Sequence, residues 1–291
     1  MKNSSLITKL LLCIVVFSFS IQTMESYGIP TSKYDLPTNP LDDTIVASVK
    51  TDNGTAKVSI QKNQLLFDVN PHYYSNGVLR SITMKLKSGS SNFYDQMGFK
   101  VHNQKVAYIY PLFTQAAYGQ NGFYDYYNKK CDTKCLTVPI PTKISGAYSS
   151  SISAAFALTL LNYSQINDMD VDKNPSILKK YDKIIVLHNE YVTQKEFNAI
   201  THHLNVIYLF PNAMYAKVKA DYSNNTISLI RGHGYKSPTN GFDWKYDNSK
   251  HEYNVNCNNW KFESIPHGKM LNCYPFFKIL TDRSLLAALK S

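Results

Sequence analysis

The sequence predicts an α/β fold of three layers, a mostly parallel sheet covered by helices on both faces. Two observations carry that expectation. From about residue 105, short β-branched and aromatic runs alternate with stretches of helical period, the pattern left by parallel strands joined through crossover helices. Before residue 105 the texture differs: short strand-like runs are broken by Asn, Gly and Ser, with no sustained helical period. That reads as a small antiparallel unit in front of the main domain.

In chain order, residues 29–44 carry Pro30, Pro37 and Pro40 and read as extended chain. Val58–Ile60, Leu65–Val69 and Leu79–Leu86 supply the strands of a β-rich subdomain that closes the 29–104 region. Val106–Tyr110 opens the α/β domain as a strand stopped by Pro111, Phe123–Lys130 reads as an aromatic-rich helix, and Leu136–Ile140 as a second strand. Ser151–Leu161 is helical, with Ile152, Phe156 and Leu160 at helical spacing. Ile184–Leu187 is a strand of the fully buried type. Thr193-Gln-Lys-Glu196 has the form of a capping box, in which the Thr hydroxyl and the Glu carboxylate satisfy free amides at a helix start. The helix it opens points Phe197 and Ile200 inward, and His202-His203 ends it, where positive charge is favourable. Val206–Phe210 is a strand halted by Pro211, and Lys217–Asp221 with Thr226–Arg231 form a hairpin around Ser223-Asn-Asn225. The α/β domain therefore spans 105–235, and 236–291 form a C-terminal extension. No internal repeat is present.

The first 28 residues have the parts of a secretory signal. Lys2 and Lys9 supply charge, Leu10–Ile21 is apolar, and small residues at Ser18 and Ser20 or at Ser26 and Gly28 offer cleavage points. The run is shorter than the roughly 20 apolar residues of a comfortable span, and a retained N-terminal membrane anchor is the alternative. Without Cys13 four cysteines remain. Local pairing, Cys131 with Cys135 and Cys257 with Cys273, is the most economical of three connectivities, and the second pair flanks a turn-like Ile265-Pro266-His267-Gly268. A four-cysteine zinc site is the rival, against which the spacings argue. Asn53, Asn162 and Asn224 head glycosylation sequons.

The formal net charge is +10, but Lys and Arg are scattered. A solvated basic surface suited to an anionic cell envelope follows, and no zinc-finger, RNA-binding or helix-turn-helix pattern accompanies it, so nucleic acid is not the expected partner. Asp168, Asp170 and Asp172 have the opening spacing of a calcium loop, yet Lys173 and Lys179 stand where its Gly and Glu belong.

Ligands of open α/β sheets bind beyond the carboxyl ends of strands. His188 and Glu190 follow Ile184–Leu187 and, at a strand's period of two, share a side. Asn212 and Tyr215 follow Val206–Phe210, Tyr118 lies beyond Val106–Tyr110, and Tyr148 lies beyond Leu136–Ile140. Four strand exits would thus converge. Against this stand the plain readings: Asn212 as a turn residue, and Tyr215, Tyr118 and Tyr148 as packing members of a set of 22 tyrosines.

His188-Asn-Glu190-Tyr191 followed by Asn212-Ala-Met-Tyr215 resembles the H-x-E-Y…N-x-x-Y run of the C-terminal domain of the N,N-dimethylformamidase large (beta) subunit, which has a class I glutamine amidotransferase-like fold. Small exported archaeal-type relatives share Tyr-Val-Thr after the Glu and a later basic-Gly-His-Gly, here Arg231-Gly-His233-Gly. The resemblance covers about residues 105–235. It implies a mononuclear iron site acting on a small-molecule amide, with Tyr118, Tyr148 and Glu190 as ligands and His188 moving a proton or orienting water. Asn212, Tyr215 and His233 are the candidate ligand-contacting residues. The dimethylformamidase chain is far larger, and Pro211-Asn212 stands where amidotransferases of that fold place a nucleophilic Cys, so Cys-dependent glutamine hydrolysis is not expected. Two function classes follow: an iron-dependent hydrolase of C–N bonds, or an exported binding or envelope-associated protein that keeps the fold without catalysis.

Overall fold

The structure, a computed structural model, describes residues 43–51, 54–73, 79–98, 105–144, 151–232 and 240–291. The expected signal segment 1–28, Asn53, Tyr148 and His233 lie outside the described residues. The N-terminal region forms two separate antiparallel ribbons, β1 (Thr44–Thr51) with β2 (Gly54–Gln61) and β3 (Phe67–Tyr73) with β4 (Leu79–Leu86). A short helix, α1 (Ser91–Met97), which the sequence pattern does not announce, follows them.

The order then runs β5 (Val106–Tyr110), α2 (Leu112–Tyr118), α3 (Phe123–Tyr127), β6 (Thr137–Pro139), α4 (Ile152–Leu160), β7 (Ser164–Asn167), α5 (Asp168–Lys173) and β8 (Lys183–Val186). It continues through β9 (Tyr191–Val192), α6 (Gln194–Thr201), β10 (Val206–Tyr208), β11 (Ala216–Asp221) and β12 (Thr226–Arg231). Last come β13 (Phe262–Ile265), β14 (Gly268–Leu271), α7 (Lys278–Thr281) and α8 (Arg283–Lys290).

Six strands share one sheet in the order β13-β14-β10-β8-β5-β7, and each neighbouring pair is parallel except β13 with β14. Period-two alternation builds its two cores. Tyr108 and Tyr110, Ile185 and Leu187, and Ile207 and Leu209 pack on one face with Ala154, Leu158, Leu285 and Leu289. Ala107 and Ile109, Ile184 and Val186, and Val206 and Tyr208 pack on the other with Val171, Leu178 and Ile200. The chain is therefore a mixed α/β fold with a parallel-containing sheet between helical layers. A second sheet, β6-β12-β11-β9, closes a third core with Phe113, Ala117 and Phe123.

Several expectations change. Leu136–Ile140 shortens to the three residues of β6 and pairs antiparallel with β12 in the second sheet, not with the parallel one. Pro139 has no amide to donate, and β6 is an edge strand, where that loss is tolerated. The helix at 123 stops at Tyr127; Lys129, at a φ of 58°, is left-handed and cannot continue it. In α4 the buried residues include Ser153, Ala154, Ala155, Ala157 and Leu158, while Ile152, Phe156 and Leu160 sit half-buried. Small side chains let that helix lie close to the sheet, so the large residues move to its flanks.

Both local cysteine pairs are disulfide-bonded, Cys131 to Cys135 and Cys257 to Cys273, which removes the four-cysteine zinc reading. Disulfides are the chemistry of an oxidising compartment. The hairpin around Pro266-His267 does not stand apart as an extension: β14 pairs in parallel with β10 and enlarges the main sheet. No helix among the described residues is long and apolar enough to cross a membrane.

Candidate functional site

The central sheet reverses its direction of growth between β5 and β8. From β5 the chain passes through α4 to β7 on one side, and from β8 through α6 to β10 on the other. Such a reversal leaves a crevice outside the carboxyl ends of the two strands. Into it run the turn 187–190 after β8 and helix α2 after β5.

Backbone contacts lock that turn. The His188 amide donates to Ser151 Oγ at 3.0 Å and the Glu190 amide to Thr114 Oγ1 at 3.0 Å. The carbonyls of Asn189 and Glu190 accept the amides of Met214 and Ala216 at 2.8 and 2.7 Å. His188, Asn189 and Glu190 are all buried. Three buried polar side chains in succession require partners, because an unmet buried polar group costs on the order of 1–3 kcal/mol.

The partners converge from four segments. The Tyr118 hydroxyl, at the end of α2, donates to Glu190 Oε2 and lies 3.0 Å from the Tyr124 hydroxyl of α3. Asn212 Nδ2, beyond β10, is 2.8 Å from His188 Nε2 and 3.4 Å from both Glu190 Oε2 and Glu252 Oε2. An amide facing two carboxylates must present its N–H2, so His188 Nε2 is the acceptor and holds a lone pair. The imidazole stacks on Tyr118 at 5.6 Å and is flanked by Phe210 at 5.3 Å and Tyr274 at 5.4 Å between ring centroids. Glu190 Oε2 stands 3.4 Å from His188 Nε2.

Burial is the main force on the phenols. It pushes Tyr118, Tyr124 and Tyr191 well above the usual tyrosine range, and the Glu190 carboxylate pushes each further. Tyr215 is raised too, by burial first and then by Asp247, Glu190 and Glu252. The phenols thus remain neutral donors until a strong positive charge is placed among them. Two polar atoms here, the Tyr191 hydroxyl and Asn212 Oδ1, are buried with no hydrogen-bond partner among the described residues. Such orphans are the atoms that a polar guest would satisfy.

Of the residues expected at the site, Tyr118, His188, Glu190 and Asn212 meet in one cluster, with Tyr215 half-buried beside it. Three exits of the parallel sheet feed it, not four, since β6 belongs elsewhere. Sequence reasoning missed Tyr124, Glu252 and Tyr274. Tyr124 sits in the run Phe123-Tyr-Asp-Tyr-Tyr127, where nothing separates one phenol from its neighbours. Glu252 and Tyr274 arrive from the C-terminal segment, and the nearby Cys257–Cys273 bond is the one signal that this segment is held in place. Among the described residues no group of three or more His, Cys, Asp or Glu side chains forms a metal-binding cluster; the convergence found is of phenols around one carboxylate.

Compared with known proteins, the chain matches no family model and no curated sequence.

Proposed function

We propose that this cluster is the centre of an exported, metal-dependent hydrolase that cleaves the C–N bond of a small amide, on an amidotransferase-like fold of the N,N-dimethylformamidase type. The observation that carries the reading is the hydroxyl chain from Tyr124 through Tyr118 to the Glu190 carboxylate at the sheet's reversal. Two phenols and a carboxylate are hard oxygen donors, which suit ferric iron. Tyr124 is a second phenol that this reading adds to Tyr118 and Glu190; Tyr148, the other tyrosine ligand that the resemblance implies, lies outside the described residues.

Bound there, the ion would act as a Lewis acid, polarising an amide carbonyl, lowering the pKa of water and holding the phenols as phenolates. The protein's own groups carry the protons. His188, with its Nε2 lone pair beside Glu190 and its ring fixed among Tyr118, Phe210 and Tyr274, accepts a proton from attacking water and returns it to the departing amine. Asn212 keeps that imidazole oriented by donating to Nε2, and must release this bond when Nε2 takes the proton. Glu252, half-buried on the solvent side and sharing the Asn212 amide, is placed to stabilise the protonated imidazole. Aromatic walls around His188 keep bulk water from the reacting atoms.

The test is metal content and the visible spectrum of protein purified without metal-binding tags. Near one iron per chain, with a tyrosinate charge-transfer band weakened by Tyr118→Phe and by Tyr124→Phe, supports the reading and opens a screen of small amides. A colourless protein that takes up no added iron sinks it and leaves an exported binding protein.

A further inference from the structure

Behind the site three acidic side chains meet out of solvent, Asp168 and Asp172 of α5 and Glu196 of α6. Their donors are unequally shared. Asp168 Oδ2 accepts the Phe113 amide at 2.7 Å, its Oδ1 accepts the Asn189 side-chain amide, and the Leu112 amide also bonds this carboxylate. Asp172 accepts the hydroxyls of Thr193 and Tyr222. Glu196 has a single such donor beside it, the Thr193 backbone amide, and its carboxyl lies in hydrogen-bonding contact with Asp168. Two carboxylates cannot share a hydrogen bond unless one carries a proton. Asp168, whose oxygens already face N–H groups, is the one stabilised as the anion.

We propose that Glu196 is a buried neutral acid donating its O–H to Asp168, and that this pair positions Tyr118 against Glu190. Asp168 reaches both halves of the site. Pro111, which precedes α2, supplies no side-chain cap, so the Asp168 carboxylate caps that helix from outside and sets the segment that ends in Tyr118. Through Asn189 it also holds the turn between His188 and Glu190. Thr114, in the first turn of α2, closes the loop by accepting the Glu190 and Tyr191 amides. The other groups facing the pair are Asp172 on the same helix, the Tyr222 phenol beyond β11, and Lys173, whose ammonium lies 4.3 Å from the centre of the Tyr222 ring. Deprotonation of Glu196 would set a third carboxylate charge beside Asp168 and Asp172 and prise the pair apart.

The consequence for catalysis rests on the metal-site reading; the pair itself does not. The experiment uses the full chain without metal, by infrared and proton NMR spectroscopy. At about pH 8, far above the roughly 4.3 of an ordinary Glu, the wild type should keep a carboxylic-acid C=O stretch that disappears in Glu196→Gln. Glu196→Gln, which substitutes an N–H donor for the O–H, should retain the downfield phenol proton of the Tyr118–Glu190 bond, identified by its loss in Tyr118→Phe. Asp168→Asn and Glu196→Leu should both lose it, and in iron titrations should bind about 10-fold or more weaker, against about twofold for Glu196→Gln. Absence of the acid stretch in the wild type at that pH overturns the proposal, as does loss of the phenol proton in Glu196→Gln to the same degree as in Glu196→Leu. Should the wild type bind no iron, the metal reading falls, while the stretch and the phenol proton still decide the pair.

Discussion

On the outer side of the turn 188–190, Glu190 meets the Tyr118 phenol with Tyr124 bonded behind it, an amide and an imidazole; on the inner side, Asp168 meets backbone amides, the Asn189 amide and a second carboxyl. Both sides bury a carboxylate, but the company differs in what it allows. Among the outer groups the phenols can exchange their protons for a cation and the imidazole offers a lone pair, and three groups reach Glu190 from α2, the β10 loop and the turn itself. The inner pair is tied to fixed amides and a shared proton, and through them it braces both halves of the site. Buried charge close to a reaction centre thus divides into charge that waits for a ligand and charge that holds the frame.

Removing the outer carboxylate is the strongest test of that division. Glu190→Gln should lose iron by more than the roughly 10–100-fold that an outer-shell substitution costs, with no fall in the melting temperature of the metal-free protein. If instead the metal-free protein is badly destabilised, Glu190 belongs to the frame. Breaking the inner side should also cost the fold itself. Asp168→Asn should cost about 3–5 kcal/mol in urea unfolding, the range for orphaning one member of a buried charged network.

A pH series separates the two sides without any substitution. Burial raises Glu196 well above its ordinary range and Asp168 to about 6, despite the amides that pull Asp168 down. Groups with folded pKa values raised above their unfolded ones contribute stability that is complete below the unfolded value and is lost as pH rises through the folded value. Metal-free protein should therefore weaken from about pH 4, the unfolded range, through the Asp168 value of about 6 and beyond, and Glu196→Gln should flatten part of that slope. Denaturation midpoints at a series of pH values give the answer.

The disulfides provide a smaller contrast. Opening Cys257–Cys273, which closes a loop of sequence separation 16, should cost about 3 kcal/mol and loosen Glu252 and Tyr274 at the site. Opening Cys131–Cys135, of separation 4, should cost about 2 kcal/mol and leave iron uptake unchanged. Paired Cys→Ser variants compared by urea unfolding and metal content resolve the two.

The α/β class, five strands of the described main domain (β5, β8, β10, β11 and β12) and the positions of His188 and Glu190 were legible in the residues alone, because continuous apolar runs, stop residues and a period of two are local properties of the chain. Short or polar strands were not. Ser164–Asn167 has little apolar content, and Tyr191–Val192 is a two-residue strand that exists only because Ala216–Asp221 lies beside it. The Thr193–Glu196 motif shows the same limit within one turn. Thr193 does accept the Glu196 amide and the Glu196 carboxyl does face the Thr193 amide, but its further contact with Asp168 is one that no local motif announces.

By itself the sequence determined which segments alternate, which faces they bury and which two residues stand at a strand exit, since each depends on neighbours within a few positions. Only the tertiary structure decided that Tyr118, with Tyr124 bonded behind it, reaches Glu190 across about 70 residues of chain, that Glu252 and Tyr274 approach from the other terminus, and that Asp168 and Glu196 lie against each other. Those meetings depend on how layers stack and on which buried charges can be neutralised together, and no local pattern encodes either.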